Sequence, residues 1–350
     1  GKPAEMAEKI AMGRLNKFFK ENTLLSQQFV RDNKLTVEQF LNNTNIYARS
    51  FSHDEKEILV GSNESGIYNA YLINLESGKS QPLTESKDES VWVSSLFPND
   101  SRMIYTADNG GNEIDHIFLR NEDGSTKELT PDEGAKAGFY GWSDDLKSFF
   151  FGSNKRDKRY MDVYEMDIEN FDSKLIYKNT EGYDFDGISN NKQYIAVTKS
   201  INTNDVDLFL LDTKTNKKIK INKNLSGNSS ADFSVDSKSF YYLTNDGSEF
   251  QYLMKYDIEN GEREKVIEED WDISYAYFSK KGKYRVVGIN QDAKTIVKIL
   301  DTSTDQDVAF PDITNGDISS VRISRSEDKM IFSAGSSKST NNLYLYDFGT

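Results

Sequence analysis

Cysteine is absent from the 350 residues, so neither a disulfide framework nor a thiolate metal site can form. Histidine is scarce: only His53 and His116 occur, which leaves a His-rich transition-metal centre without ligands, and no cofactor is expected. No run approaches the roughly 20 apolar residues that span a bilayer, and no signal peptide is evident. Because the chain opens on Gly1, an export signal removed beforehand is one expectation, with a periplasmic or secreted location and the cytoplasm left open. Basic excess is missing too. With 43 Lys and Arg against 57 Asp and Glu, the formal charge of -14 argues against nucleic-acid or anionic-membrane partners, which need clustered cations. The basic run Lys155-Arg156-Asp157-Lys158-Arg159 reads as solvated loop charge.

What the chain has is a short phrase that returns seven times: an apolar residue, usually Ser, a polar turn with Asp or Asn, then another apolar run. Its anchors are Phe51, Phe97, Trp142, Ile188, Phe233, Phe278 and Ile323, always 45 or 46 residues apart. That period, carried by strand-like segments, predicts an all-β fold: a seven-bladed β-propeller with a short N-terminal helical segment. Aromatics at 12% suit strands packed on both faces.

Residues 1–45 lie outside the repeat and read as a helical extension. Met6, Ile10, Leu15, Phe18, Phe19 and Leu24 have helical spacing from Pro3 to about Phe29, and Thr36 is placed as N-cap of a second helix over Thr36–Leu41. Such a face either covers one end of the propeller or docks a partner. Blades are expected near 46–84, 91–130, 137–179, 183–222, 228–268, 272–310 and 317–350. The last lacks its outer strand, which leaves an open edge: either Leu24–Val30 supplies the strand or the polypeptide continues beyond Thr350. The Asp that ends most third strands, as at Asp167, Asp212 and Asp257, is expected to start a turn.

Alternation along the inner strands marks Arg49, Tyr140, Asp184 and Asp186 as candidate axis-lining groups. Asp184 and Asp186 could pair for glycoside or metal chemistry, though solvated axial charge is the plainer account. Asp108–Asn112 and Thr244–Gly247 resemble calcium loops only superficially and fit hairpin turns. No residue is assigned a catalytic role.

The phrase resembles the Phe-Ser-Pro-Asp-Gly repeats of TolB-like and prolyl-oligopeptidase-like propellers, with Pro surviving at Pro98 and Gly at Gly282. Thr36–Leu41, Phe51–Lys56 and Ser62–Tyr71 look like the opening of a bacterial S9-family serine peptidase. The resemblance implies a two-part enzyme whose propeller admits short peptides to an α/β-hydrolase domain carrying Ser, Asp and His. That domain is missing here: no Gly-x-Ser-x-Gly elbow occurs, so the chain alone should have no peptidase activity. His53 stands where the family usually has Pro and reads as a surface residue. Glu268-Glu269-Asp270-Trp271 resembles the double Glu with which some dipeptidyl peptidases hold an amino terminus; the subfamily, acylaminoacyl or dipeptidyl, stays open. The alternative is a stand-alone TolB-like or WD40-like interaction propeller, and a propeller lyase or glycosidase would need an acidic or His cluster at the axis.

Overall fold

The recurring Ser builds a turn. In the computed structural model of the protein, which describes residues 4–22, 28–29, 32–36, 44–309, 316–336 and 339–349, the hydroxyls of Ser52, Ser143, Ser189, Ser234, Ser279 and Ser324 each accept a backbone N–H from five residues on, at 2.8–3.3 Å. Ser52, Ser143, Ser189 and Ser234 also donate to the Asp or Asn two residues on, at 2.6–2.7 Å. These bonds satisfy a reversal from the inner strand into the second strand of the blade.

In six of the seven phrases the position four residues after the anchor takes a left-handed backbone: φ is 56° at Glu55, 59° at Leu146, Lys192 and Ser237, 81° at Gly282 and 71° at Glu327. Holding a side chain there costs on the order of 1 kcal/mol. Four of the five non-glycine residues offset that cost by bonding to the preceding blade. Glu55 accepts the Ser326 N–H at 2.7 Å and its hydroxyl at 2.6 Å; Glu327 accepts the Lys281 N–H at 2.7 Å; Ser237 accepts the Asn191 N–H at 3.1 Å; Lys192 donates to Glu165 at 2.7 Å. The glycine of the family phrase is replaced where a side chain laces two blades together.

The chain divides into two compact units, Gly1–Asn45 and Ile46–Thr350. In the first, the expected helix forms over Ala4–Asn22, with Ile10, Met12, Leu15 and Phe18 exposed. Thr36 ends a strand, Asp32–Thr36, instead of capping a helix; residues 37–43 lie outside those described. Gln28–Phe29 pairs with that strand as a separate two-stranded sheet, so these two residues do not complete a blade, and the remainder of Leu24–Val30 is outside the described residues.

The second unit is a seven-bladed propeller of consecutive antiparallel strands. Blade one is Ile46–Phe51, Glu57–Ser62, Asn69–Asn74 and Ser80–Pro82; blade two is Trp92–Leu96, Met103–Ala107, His116–Arg120 and Thr126–Glu128. Blade three is Ala137–Trp142, Ser148–Ser153, Asp162–Asp167 and Ser173–Tyr177; blade four is Asp184–Ile188, Tyr194–Ser200, Val206–Asp212 and Lys218–Lys220. Blade five is Asn228–Phe233, Ser239–Thr244, Tyr252–Asp257 and Arg263–Ile267; blade six is Asp272–Phe278, Tyr284–Gln291, Lys294–Asp301 and Gln306–Asp307. Blade seven has three strands among the described residues: Asp317–Ile323, Lys329–Ser336 and Ser339–Asp347.

Burial follows the blade outward. The second strand of blade three is buried throughout, whereas its outer strand is largely exposed. One apolar cluster fills each interface between blades. Phe97, Ile104 and Ile117 of blade two meet Phe149, Phe151 and Met166 of blade three, and at the seam Ile331 of blade seven meets Ile58, Val60 and Tyr71 of blade one. Buried apolar area of this kind is the main stabilising term. The Asp residues ending third strands do start turns: Asp167, Asp212 and Asp257 each accept two following backbone N–H groups at 2.8–3.2 Å.

Candidate functional site

Every inner strand carries a β-bulge, two residues before the phrase anchor in blades one, three, four and five, three before it in blade two and four before it in blades six and seven. One residue is skipped in its pairing with the second strand: Arg49, Ser94, Tyr140, Asp186, Ala231, Ser274 and Ser319. An unpaired residue sharpens local twist and re-aims its side chain. Three of the four sequence candidates, Arg49, Tyr140 and Asp186, sit at this position, and all three are exposed. Ser95, Ala276 and Val321, which strict alternation would align with them, are buried instead. The bulge shifts the parity, and Ser94 is the residue that alternation misses.

Tyr140, Asp184 and Asp186 come together on adjacent blades. The Tyr140 ring stacks on Phe185, with centroids 4.8 Å apart and planes 12° apart. Asp186 is open to solvent but closely surrounded, and desolvation pushes its carboxyl up to about 6, the neighbouring Asp184 charge adding to the rise while a hydrogen bond with Thr198 opposes it. Asp232 of blade five is likewise pushed up to about 6 by burial, against hydrogen bonds at 2.8 Å from the backbone of Phe233 and of Phe278 in blade six.

Arg49 belongs to a different group. It lines a cavity of about 590 Å³ at the face of the phrase turns, built by blades six, seven, one, two and three. Its walls combine Phe51, Leu96, Trp142 and Ile323 with Lys280, Lys281, Arg322 and Arg325, and His53 lies exposed at the rim. A hydrogen-bonded chain fixes one side: Trp142 Nε1 donates to Ser95 Oγ at 2.9 Å, and the Leu96 N–H donates to Ser50 Oγ at 2.9 Å. Two bonds cross the ring. Lys280 of blade six pairs with Asp144 of blade three at 2.7 Å, and Arg325 of blade seven donates to the Pro98 carbonyl of blade two at 2.8 Å.

The remaining sequence candidates are occupied structurally. Glu268 pairs with Lys265 at 2.8 Å and Glu269 with Lys298 at 2.6 Å, away from the cavity. His116 is bonded to Glu128. In the 108–112 loop, Asn112 accepts the Ile114 N–H at 2.9 Å and Asp108 the Glu113 N–H at 2.9 Å, as hairpin turns do. The basic run at 155–159 meets acids, Arg156 with Asp162 at 2.5 Å and Arg159 with Asp157 at 2.8 Å. Among the described residues no cluster of three or more His, Asp or Glu has metal-binding geometry. No described helix is long and apolar enough to cross a membrane.

Comparison with known proteins separates the two units. Residues 1–56 match the family "Elongation factor TS", and elongation factor Ts of Amoebophilus asiaticus (strain 5a2) is 58% identical over 62 residues, 18% of this chain and 22% of that protein. The chain thus spans about a fifth of that relative's length. Thr36–Leu41, which resembles a peptidase opening, falls inside this match. Among solved structures, a study of two prolyl endopeptidases provides a chain similar at TM-score 0.67 and 14% identity, covering 99% of this chain and 52% of that one. An oligogalacturonate lyase of Vibrio parahaemolyticus is similar at TM-score 0.62 and 17% identity, covering 86% and 89%. At such identities both likenesses speak to fold. The family profile described as the prolyl oligopeptidase N-terminal beta-propeller domain matches residues 81–350, most of the ring, and by that match the chain belongs to this family.

Proposed function

We propose that the propeller is the noncatalytic, access-controlling part of an S9-type serine peptidase that acts on short peptides, working with an α/β-hydrolase domain that this sequence does not contain. The observation that carries this reading is the cavity of about 590 Å³ at the turn face, within the size range of small-ligand pockets, with a solvent-exposed ion pair crossing its ring. Exposed pairs contribute about 0–1 kcal/mol, so this one can open and close at little cost. Catalysis is assigned elsewhere because no nucleophile elbow exists in the sequence. A periplasmic place of action forms part of the same reading, on the family resemblance.

The test is hydrolysis of aminoacyl and dipeptidyl chromogenic substrates by the chain alone and after co-expression with the region encoded downstream. Hydrolysis of short substrates but not of folded casein, and only in the combined form, is expected. Absence of activity in both forms would refute the gate and favour an interaction propeller.

A further inference from the structure

In a chain of net charge -14, the turn-face cavity is lined by Arg49, Lys280, Lys281, Arg322 and Arg325 against one carboxylate, Glu55. Glu55 is already engaged by both the N–H and hydroxyl of Ser326. Lys281 and Arg325 spend donors on carbonyl oxygens, of Ser326 at 3.2 Å and Pro98 at 2.8 Å, and the nearby Glu55 charge is the counter-charge acting on Arg325. Arg49 lies over the Tyr47 ring at 5.0 Å, and no carboxylate pairs with Arg322 among the described residues. Low-dielectric walls focus such a charge cluster into the cavity.

Lys280 shows what the site takes. Its partner is a carboxylate delivered from the far side of the ring, Asp144, at 2.7 Å, with the two side chains 37% and 43% exposed. Asp144 stands in for a ligand group that could replace it. Beside these cations run Phe51, Leu96, Trp142, Leu146 and Ile323, an apolar wall that suits a chain carrying carboxylates better than a small inorganic anion.

We propose that this cavity is a receiving site for short acidic peptides, whose carboxylates displace Asp144 from Lys280 and pair with Arg322 and Arg49. The exchange makes and breaks only ion pairs: Asp144 returns to solvent as the ligand takes its place. This assignment rests on the peptide-gate reading and names the class of peptide admitted.

Titration calorimetry on the full chain tests it with tetraglutamate, tetraglutamine, tetralysine and inorganic tripolyphosphate. Tetraglutamate should bind about tenfold or more tighter than tetraglutamine, weakening with salt, and tetralysine should not bind. Asp144→Asn frees Lys280 and should raise tetraglutamate affinity severalfold; Arg322→Gln should lower it by about tenfold; in a Lys280→Gln background Asp144→Asn should lose most of its effect. Equal binding of tetraglutamine, tripolyphosphate binding as tight as tetraglutamate, or an Asp144→Asn variant with unchanged affinity would overturn the assignment. The two readings fail separately. Tetraglutamate binding without hydrolysis in the combined form removes the gate, whereas hydrolysis without tetraglutamate binding removes only the acidic-peptide site.

Discussion

Replacing Gly152 with alanine should displace a ring, because a Cβ there would occupy the place of the Tyr140 phenol. Gly152 pairs with Gly138 in the inner strand of blade three, and the bulged Tyr140 folds back over it while stacking on Phe185 of blade four. Tyr47 lies over its pairing partner Gly61 in blade one, and Tyr275 over its partner Gly288 in blade six. Losing the stack costs about 0.5–1.5 kcal/mol, and partial exposure of the ring adds about 1 kcal/mol. Alanine returns about 0.5–1 kcal/mol through lower backbone entropy, so the expected net loss is about 0.5–2 kcal/mol. Urea unfolding of the wild type, Gly152→Ala, Tyr140→Ala and the double variant isolates the cause. With the ring gone the added methyl group has room, so Gly152→Ala should be neutral or slightly stabilising in the Tyr140→Ala background. A loss of the same size in both backgrounds would refute the steric argument.

Two further perturbations test the lacing between blades and the hairpin chemistry. Glu165 is buried and bonded to Lys192 at 2.7 Å, Lys174 at 2.8 Å and Ser148 at 2.6 Å; burial opposes ionisation, but these bonds together hold the carboxyl at about 2, below its usual 4.5. Its folded value is depressed, so its stabilisation is complete above the unfolded value and is lost as pH falls from about 5 toward 2. The share is about 2 kcal/mol once screening of the exposed Lys174 is allowed for. Urea midpoints measured against pH should fall less steeply over that interval in Glu165→Gln, and parallel profiles would contradict the assignment. The blade-six hairpin between Tyr284–Gln291 and Lys294–Asp301 turns through Asp292 and Ala293, with φ of 51° and 58°, the two positive values of a type I′ turn. Ala293→Gly should therefore stabilise by about 0.5–1 kcal/mol, visible as a raised urea midpoint; a lowered midpoint would show that the turn tolerates alanine without strain.

The repeat was legible because its chemistry is local: a Ser hydroxyl reaching an N–H five residues on leaves the same mark in six of the seven blades. Local pattern also exposed the Asp turns that end third strands. The bulges were not legible, since alternation assumes one residue per pairing step, and the skipped residue moved Ser95, Ala276 and Val321 into the core. Nor was the cation cavity. Lys280 and Asp144 are 136 residues apart and meet only because the ring brings blade six opposite blade three. Turn positions aligned across the repeats place Lys280, Lys281 and Arg325 at one end of the ring. Of the phrase glycines only Gly282 is kept. At Glu55, Lys192, Ser237 and Glu327 the position instead carries side chains that tie neighbouring blades.

The seven skipped residues have an evolutionary consequence. Each stands outside the strand ladder, so exchanging its side chain breaks no pairing bond, although Tyr140, stacked on Phe185, and Ala231, packed on a core cluster, also touch the apolar interfaces. Arg49, Ser94, Tyr140, Asp186, Ala231, Ser274 and Ser319 already span cation, hydroxyl, aromatic, acid and methyl at the bulges of the inner strands. Such a set of positions can drift in selectivity one blade at a time without disturbing the pairing of any strand.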